Sequence, residues 1–263
     1  MMQQDAQRFR FGAPWLILRT TSGNRPGIWF FILLVLAFCQ GTQQGYAQGE
    51  WNNWYFGVHA ALDFNTVPPS GLPNSAMNVA WSPVSVSDSL GQLLFYSDGF
   101  TIYNHNHQMM SNGYMLFGAG GVFAFKEPGQ DSIFYIFTVK SYGTPVITYG
   151  LYYSLINMKL DGGLGGVIPG YKNIPVTGAE DARGETFGVR HHNNKDVWIV
   201  ARQFSSNQYT SYLISSSGIN LSPVLSPCFL PNSIFVNGSM QIKLSQDGTK
   251  FCAIVELNPT IVG

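Results

Sequence analysis

Hydrophobic and polar residues alternate with a period of two along the chain from Trp51 onward. The alternation runs through short segments rich in aromatic and β-branched residues, each bounded by Gly, Pro, Asn or Asp. These segments read LLFYSDG, SIFYIFTV, GLYYSLINM, DVWIVARQF, YTSYLISSSG and KFCAIV. The spacing of an amphipathic helix does not recur over any window of helical length. The pattern therefore predicts an all-β chain.

One unit, a strand followed by a polar turn and a second strand, recurs four times. It spans residues 84–97, 122–138, 187–202 and 240–255, with turns at 88–91, 128–131, 193–196 and 246–249. Successive units begin 38, 65 and 53 residues apart. A hairpin that repeats at roughly 40 to 50 residues is typical of a β-propeller, in which neighbouring blades cover each other's apolar faces. We therefore expect a β-propeller-like array of four-stranded blades, with residues 85–113 forming three consecutive strands of one blade.

The length of the chain limits the number of blades. About 215 residues lie beyond residue 47, which is room for about four blades at this repeat length. A closed ring of six or seven blades needs roughly 100 more residues. The sequence thus predicts an incomplete array in residues 48–263, truncated at the C-terminus. Two other architectures stay open: a four-bladed propeller closed by the N-terminal strand, and an open β-sandwich.

Residues 1–47 have the pattern of a secretory signal peptide with a long, positively charged n-region. An apolar segment, 28–39, follows Arg25, and the small residues Gly45 and Ala47 occupy the −3 and −1 positions of a cleavage site after Ala47. The apolar segment is shorter than the roughly 20 residues that span a bilayer. We therefore expect the signal peptide to be removed on export and the rest of the chain to keep no stable membrane span.

Composition narrows the classes of partner. Charged residues make up 11% of the chain and aromatic residues 14%, and the formal net charge is zero. A neutral chain gives no electrostatic basis for binding nucleic acid or an anionic membrane. Removal of the signal peptide leaves Cys228 and Cys252, and such an exported pair either forms a disulfide or remains as two buried thiols. Both alternatives stay open.

Acidic residues beside glycines mark the predicted turns. Asp88 and Asp98 flank one predicted strand, which separates them by roughly 25 Å at about 3.3 Å per residue. That distance excludes the paired carboxylates of a glycosidase, which lie about 5 to 9.5 Å apart. Each aspartate is instead expected to accept backbone N–H groups in its own turn. The predicted structural turn residues are Asp88, Gly91, Asp98, Gly99, Asp161, Gly162, Asp247 and Gly248.

Two histidine pairs are the candidate metal ligands. His105 and His107 have the spacing that places two imidazoles on one face of a strand. His191 and His192 are adjacent and, as strand residues, point to opposite faces. Neither pair has a third ligand nearby in the sequence. No metal site and no cofactor are therefore predicted.

Catalytic motifs are missing from the sequence. The charged run 180–185 fits a solvated loop between blades better than an acidic rim for a cationic partner. A sialidase needs an arginine cluster, and no sequence pattern brings Arg183, Arg190 and Arg202 together. Nucleophile-elbow, zinc-protease and Cys-x-x-Cys motifs are absent. The sequence therefore favours a protein without catalytic residues.

Five segments together resemble a family of secreted Bacteroidetes proteins: NNWYFGVHAALDFN, GQLLFYSDGFTIYNHNHQMMSNG, IFYIFTV, GLYYSLINMKLDGGLGG and SQDGTKF. In that family an N-terminal propeller-like region precedes repeat domains and a gliding-motility-associated C-terminal sorting domain, which this chain lacks. The resemblance implies export by the type IX route to the cell surface or beyond it. Truncation before the sorting domain implies a periplasmic location instead.

These observations lead to one main expectation and two alternatives. We expect a secreted or cell-surface, non-enzymatic β-propeller module that binds a protein or a surface polysaccharide, an adhesion-type role. The first alternative is a glycoside-active propeller enzyme that uses loop carboxylates such as Glu180 or Asp181. The second is a truncated remnant without independent activity.

Overall fold

A computed structural model describes residues 49–78, 83–142, 148–203, 206, 208–227, 241–244 and 251–254, the last two segments as backbone only. Within these ranges the chain forms nineteen β-strands and three short 3-10 helices, and none of the described residues lies in an α-helix. The predicted all-β class is confirmed. No helix in the described part of the chain is long and apolar enough to cross a membrane.

The first sheet precedes all four predicted hairpins. A 3-10 helix at Gly49–Trp51 leads into its strands β1 (Asn53–Phe56), β2 (Ala60–Asp63) and β3 (Ser70–Leu72), which pair antiparallel in the order β1-β2-β3. The β1–β2 reversal places two residues in the left-handed region, Gly57 and His59. The sequence repeat begins only at residue 84, so it does not reveal this sheet.

The second sheet is a four-stranded antiparallel meander. Its strands are β4 (Val84–Ser87), β5 (Leu93–Ser97), β6 (Thr101–Asn104) and β7 (Met109–Tyr114). The expectation of three strands over 85–113 is wrong by one, because β7 is a separate strand. Four of the six β7 residues are exposed, so this strand lacks the strong apolar alternation of its neighbours.

The third sheet joins the second through one parallel residue pair, Ser111 with Gly166. Two 3-10 helices, Gly118–Gly120 and Asp161–Gly163, lie along this part of the chain. The strands of the third sheet are β8 (Gly121–Lys126), β9 (Ile133–Tyr142), β10 (Thr148–Asn157), β11 (Gly166–Val167) and β12 (Ile174–Pro175). β9 and β10 pair along their full ten-residue lengths, and this long hairpin is the centre of the sheet.

The fourth and fifth sheets follow. The fourth contains β13 (Ala182–Arg190), β14 (Val197–Gln203), β15 (Gln208–Ser215), β16 (Gly218–Ile219) and β17 (Val224–Pro227). The fifth is the hairpin of β18 (Gln241–Leu244) and β19 (Phe251–Ile254). All four hairpins predicted from the repeat are present and pair antiparallel.

Successive residues of one strand face two different cores. In β9, Phe134 and Ile136 pack against the second sheet, whereas Tyr135, Phe137 and Val139 pack against the fourth. This division follows from the period of two, which directs neighbouring side chains to opposite faces of a sheet. Each inner sheet therefore contributes to two cores at once.

Three apolar cores separate the first four sheets. The core between the first and second sheets contains Tyr55, Ala61, Met77 and Tyr96. The core between the second and third contains Phe95, Ile102, Met110, Leu116, Phe134, Ile136, Ile156 and Val167. The core between the third and fourth contains Tyr135, Phe137, Val139, Leu151, Val176, Ala179, Ala182, Val197, Ile199, Ala201, Tyr212 and Ile214. Burial between consecutive sheets is the packing expected of a blade array.

The leading strands of the five sheets lie side by side. β1 neighbours β4, β4 neighbours β8, β8 neighbours β13, and β13 neighbours β18. Hydrogen bonds tie the first pair: Asn53 Nδ2 donates to Ser87 Oγ at 3.0 Å, and the Tyr55 backbone N–H donates to Ser85 Oγ at 2.7 Å. Neighbouring leading strands, together with apolar cores between consecutive sheets, are compatible with propeller blades. The predicted β-propeller-like array is confirmed.

Candidate functional site

The first sheet presents chemically different faces to its two sides. Along β1, Asn53 and Tyr55 are buried, whereas Trp54 and Phe56 are 51% and 37% exposed. The buried residues face the second sheet and the exposed residues face away from it. Because both sets lie on one four-residue strand, the packing of the inner face fixes the position of the outer face.

Three tyrosines stack where the first two sheets meet. The Tyr55 and Tyr96 rings lie 4.3 Å apart between centroids with an interplanar angle of 20°, and Tyr103 stacks on Tyr96 at 5.1 Å and 21°. Tyr96 is completely buried. Stacked aromatic pairs add about 0.5–1.5 kcal/mol beyond the burial of their surface. This tyrosine stack therefore fastens the first sheet to the second.

A hydrogen-bonded chain closes over the edge of the tyrosine stack. His107 Nε2 lies 2.7 Å from Asn74 Nδ2, and His107 Nδ1 lies 3.2 Å from Tyr96 Oη. The Tyr55 hydroxyl donates to Asn74 Oδ1 at 3.3 Å. Because the Asn74 amide nitrogen can only donate, Nε2 accepts, and the proton of a neutral imidazole resides on Nδ1 and points to Tyr96. We call Tyr55, Asn74, Tyr96 and His107 the His107 network.

Burial sets the protonation states within this cluster. Desolvation raises the pKa of Tyr96 to about 12 and also raises the pKa values of Tyr55 and Tyr103. Desolvation, followed by the nearby His105, lowers the pKa of His107 below its usual 6.5. The side chains of Tyr55, Tyr96, Tyr103 and His107 are therefore all uncharged at neutral pH. A phenol with a raised pKa is a poor nucleophile, so the cluster is suited to hydrogen bonding and not to covalent catalysis.

A rigid turn presents the His107 ring. Asn104 Oδ1 accepts from the backbone N–H groups of Asn106 and Gln108 at 3.0 and 3.1 Å, and the His107 N–H donates to the Asn104 carbonyl at 2.9 Å. His107 itself has a left-handed φ of 60°. His105 and His107 thus lie in the β6–β7 turn, and the premise that both lie on a strand face is wrong. Among the described residues no three His, Cys, Asp or Glu side chains form a group that could hold a metal ion.

The outer side of the first sheet is aromatic and exposed. We define the outer aromatic face as Trp51, Trp54, Phe56 and Phe64, whose exposed fractions are 73%, 51%, 37% and 36%. Trp54 and Phe64 are in contact, with ring centroids 4.8 Å apart and planes tilted by 48°. Trp54 Nε1 donates to the Trp51 carbonyl at 2.9 Å, which fixes the indole. Trp54 and Phe64 therefore form a contiguous aromatic surface open to solvent, and Phe56 is exposed on the same face of β1 as Trp54.

Amide groups border the outer aromatic face. Asn52 Nδ2 donates to Asn65 Oδ1 at 2.9 Å, and Asn65 Nδ2 donates to Asp63 Oδ1 at 2.8 Å. Asn65 Nδ2 also donates to the Gly91 carbonyl at 3.0 Å, so these amides tie the first sheet to the β4–β5 turn of the second. Nearby, Glu50 and Arg190 form an exposed ion pair at 4.0 Å. The border is polar but carries little unpaired charge.

The structure places the predicted turn aspartates at opposite ends of β5. Asp88 Oδ1 accepts from the backbone N–H groups of Leu90 and Gln92, both at 2.9 Å, and Gly91 has a φ of 81°. Asp98 Oδ1 accepts from Phe100 and Thr101 at 2.9 and 2.8 Å, and Gly99 has a φ of 89°. Both carboxylates are occupied by backbone donors of their own turns.

The structure describes some of the remaining predicted positions and not others. Asp161 and Gly162, with φ values of 49° and 64°, lie in the 3-10 turn after β10. Ala47, Cys228, Asp247 and Gly248 lie outside the described residues, and Cys252 is described only as backbone in β19. Cleavage after Ala47 therefore stays a prediction, and the two alternatives for Cys228 and Cys252, a disulfide or two buried thiols, both stay open.

The second histidine pair lies in a turn. β13 ends at Arg190, so His191 and His192 are no longer strand residues, and their ring centroids are 4.1 Å apart. The expectation that they point to opposite faces is wrong for this reason. His191 Nδ1 accepts the Asn193 N–H at 3.1 Å and is occupied within the turn.

The charged run 180–185 is only partly a loop. β13 begins at Ala182, whose side chain is fully buried, so the second half of the predicted loop is strand. Glu180 Oε1 accepts the Gly178 N–H at 3.0 Å. Arg202 lies buried in β14, whereas Arg190 lies exposed at the end of β13. Because one of these arginines is buried and the other is exposed, the two side chains do not share one surface site.

No protein-family model, curated protein or solved structure matches the chain. The candidate site therefore rests on geometry alone. Sequence reasoning missed both the His107 network and the outer aromatic face. The Trp51–Phe56 segment carries a usable signal for the face, since aromatic residues at consecutive strand positions supply apolar side chains to both sides of a sheet.

Proposed function

We propose that the protein is a non-enzymatic binding module, exported to the cell surface or beyond, whose outer aromatic face binds a neutral polysaccharide. The observation that carries this proposal is the exposed Trp54–Phe64 pair, with Phe56 exposed on the same face of β1 and Trp51 exposed just before that strand. Contiguous exposed apolar patches on a protein surface commonly mark interaction sites.

The chemistry of the face favours a sugar chain. One side of a pyranose ring presents C–H groups, which pack on aromatic rings, and its perimeter presents hydroxyl groups, which need hydrogen-bond partners. The outer aromatic face supplies the rings, and the exposed Asn65, which follows Phe64 in the chain, supplies a polar side chain next to them in sequence. Removal of residues 1–47 takes away four arginines and one aspartate, which leaves 10 Lys/Arg and 13 Asp/Glu, and this slightly negative chain favours a neutral polymer over an anionic one.

The size of the face favours a short ligand segment over a stable protein partner. Three strands of about four residues cover on the order of 200 Å², given strand spacings near 4.8 Å and a rise near 3.4 Å per residue. A standard protein interface buries about 800 Å² on each partner. A patch of this size is suited to a few sugar units.

The location is proposed from the sequence. The signal-peptide pattern of residues 1–47, with its cleavage site after Ala47, supports export. The resemblance to secreted proteins of the type IX route supports a place at the cell surface. A protein displayed at the cell surface and a protein released from it can both reach a surface polysaccharide.

The proposal is tested by binding of the purified protein to insoluble cellulose, chitin and β-1,3-glucan, with depletion from solution as the readout. We expect binding to at least one polymer, and about tenfold weaker binding for Trp54→Ala, which corresponds to ~1.4 kcal/mol. Tyr114→Ala is the matched control, because Tyr114 is an aromatic residue 57% exposed on the second sheet. Its binding should equal that of the wild type.

Three outcomes contradict the proposal. The first is equal binding by Trp54→Ala and the wild type, and the second is binding to none of the polymers. The third is release of reducing sugar that disappears in Glu180→Gln or Asp181→Asn, which assigns the protein to glycoside hydrolysis.

A further inference from the structure

His107 bridges the first two sheets at a single imidazole. One ring nitrogen faces Asn74, which follows β3 of the first sheet, and the other faces Tyr96 on β5 of the second. The side-chain oxygen of Asn74 in turn accepts a hydrogen bond from the hydroxyl of Tyr55 on β1. The ring therefore links the loop after β3 to β5, and through Asn74 it is also linked to β1.

We propose that His107 is a pH-sensitive lock, and that its protonation releases the loop after β3, which carries Asn74, from the second sheet. The lock itself is independent of the ligand. The consequence for polysaccharide binding rests on the function proposed above, since the outer aromatic face is built on the same three strands.

Protonation is incompatible with the observed hydrogen bonds. A second proton on Nε2 turns this acceptor into a donor facing the Asn74 Nδ2 donor 2.7 Å away. Rotation of the Asn74 amide by 180° restores an acceptor for His107. The same rotation removes the acceptor of the Tyr55 hydroxyl proton, now 3.3 Å from Oδ1. The imidazolium thus costs at least one hydrogen bond of the His107 network.

Among the described residues, the side chains in contact with the His107 ring include no carboxylate that could compensate a positive charge. The groups that face His107 are aromatic or polar and neutral on three sides: Tyr55 of β1, Tyr96 of β5 and Asn74 of the loop after β3. His105 in the same turn opposes a second positive charge. The carboxylates of Asp63 and Asp98 act on the tyrosines and not on the histidine.

Loss of the lock acts on the loop after β3, because the other hydrogen bonds between the two sheets lie at β1 and after β2. Asn53 Nδ2 and Asn65 Nδ2 both donate to the Gly91 carbonyl, at 2.7 and 3.0 Å. Besides the His107 network, the Tyr55 N–H to Ser85 bond and the Asn53 to Ser87 bond connect β1 with β4. The Ala76 N–H donates to Tyr96 Oη at 2.9 Å beside the lock. Opening of the network therefore loosens the loop after β3.

The experiment measures hydrogen–deuterium exchange of peptides covering 53–77 between pH 7.5 and 5, expressed as protection factors corrected for intrinsic exchange. In the wild type, the opening equilibrium should rise by up to tenfold for each pH unit below 6.5, because only the open state binds the proton. His107→Asn should show lower protection without this pH dependence, and asparagine tolerates the left-handed φ at this position. His105→Asn is the matched control, since His105 is exposed in the same turn, and it should keep the wild-type dependence.

Equal acid-induced exchange in His107→Asn and the wild type overturns the lock. Nitrogen NMR of wild-type His107 provides a second reading if the variant does not fold. A neutral Nδ1–H tautomer at pH 7 that titrates below 6.5 supports the lock, and an Nε2–H tautomer or an imidazolium at pH 7 overturns it. Polysaccharide binding is measured separately: acid-induced opening without any polysaccharide binding supports the lock and contradicts only the proposed function.

Discussion

At the residue scale, the Tyr96 hydroxyl of the His107 network accepts two hydrogen bonds. It accepts from the Ala76 N–H at 2.9 Å and from His107 Nδ1 at 3.2 Å, and the ring that carries it is completely buried. Removing this oxygen leaves two donors unsatisfied in a desolvated setting. The cost of each such donor is typically about 1–3 kcal/mol.

We therefore expect Tyr96→Phe to lower the free energy of unfolding by about 2 kcal/mol or more, measured by urea denaturation. Tyr114→Phe removes an exposed hydroxyl and should change the same quantity by less than about 0.5 kcal/mol. Equal stability of the two variants contradicts the role assigned to Tyr96.

At the scale of elements, one strand serves two cores, and β9 allows this to be tested with adjacent residues. Ile136 and Phe137 are both fully buried, yet Ile136 packs in the core toward the second sheet and Phe137 in the core toward the fourth. Both alanine substitutions should lower the free energy of unfolding by about 2–5 kcal/mol. Their local effects should lie on opposite sides of the third sheet.

Hydrogen exchange followed by mass spectrometry separates the two effects. Ile136→Ala should increase exchange mainly in the peptide containing Phe95, and Phe137→Ala mainly in the peptide containing Ile199. Lys126→Ala, at the exposed end of β8, should leave both peptides unchanged. Increased exchange in the same sheet for both core variants contradicts the division into two cores.

At the scale of the whole molecule, the proposed route of export makes a prediction about the mature chain. Export with cleavage after Ala47 yields a protein that begins at Gln48, which the mass of the exported product identifies. Ala47→Arg should accumulate the uncleaved precursor, because a small residue is required at the −1 position. Gln44→Arg, outside the −3 and −1 positions, is the control and should be processed normally. Processing of both variants alike rules out this cleavage site.

The fold could be predicted from the sequence where its determinants are local. Alternation with a period of two and the turns at 88–91 and 193–196 define hairpins within about fifteen residues, and these hairpins are present. At both histidine pairs, the alternation with a period of two predicts strand residues, but the strands end just before the histidines. His107 and His191 follow strand ends that depend on backbone hydrogen bonds of the turns and not on hydropathy.

The candidate site could not be predicted because its contacts are distant in sequence. Tyr55 contacts Tyr96, and Asn74 contacts His107 across 33 residues. Such pairs form only after two sheets have packed, and no local pattern of residues encodes the packing. The outer aromatic face was missed for a related reason, since the first sheet lies before the repeat that revealed the others.

The sharing of each inner sheet between two cores has a consequence for how such a gene changes over evolutionary time. A deletion that ends within β9 or β10 leaves two neighbouring sheets with half of an apolar face each. A duplication or loss of one complete sheet instead joins faces of the same kind. Recombination that preserves folding should therefore fall in the connections between sheets, such as 115–120 and 176–181, so that the array grows and shrinks by whole sheets.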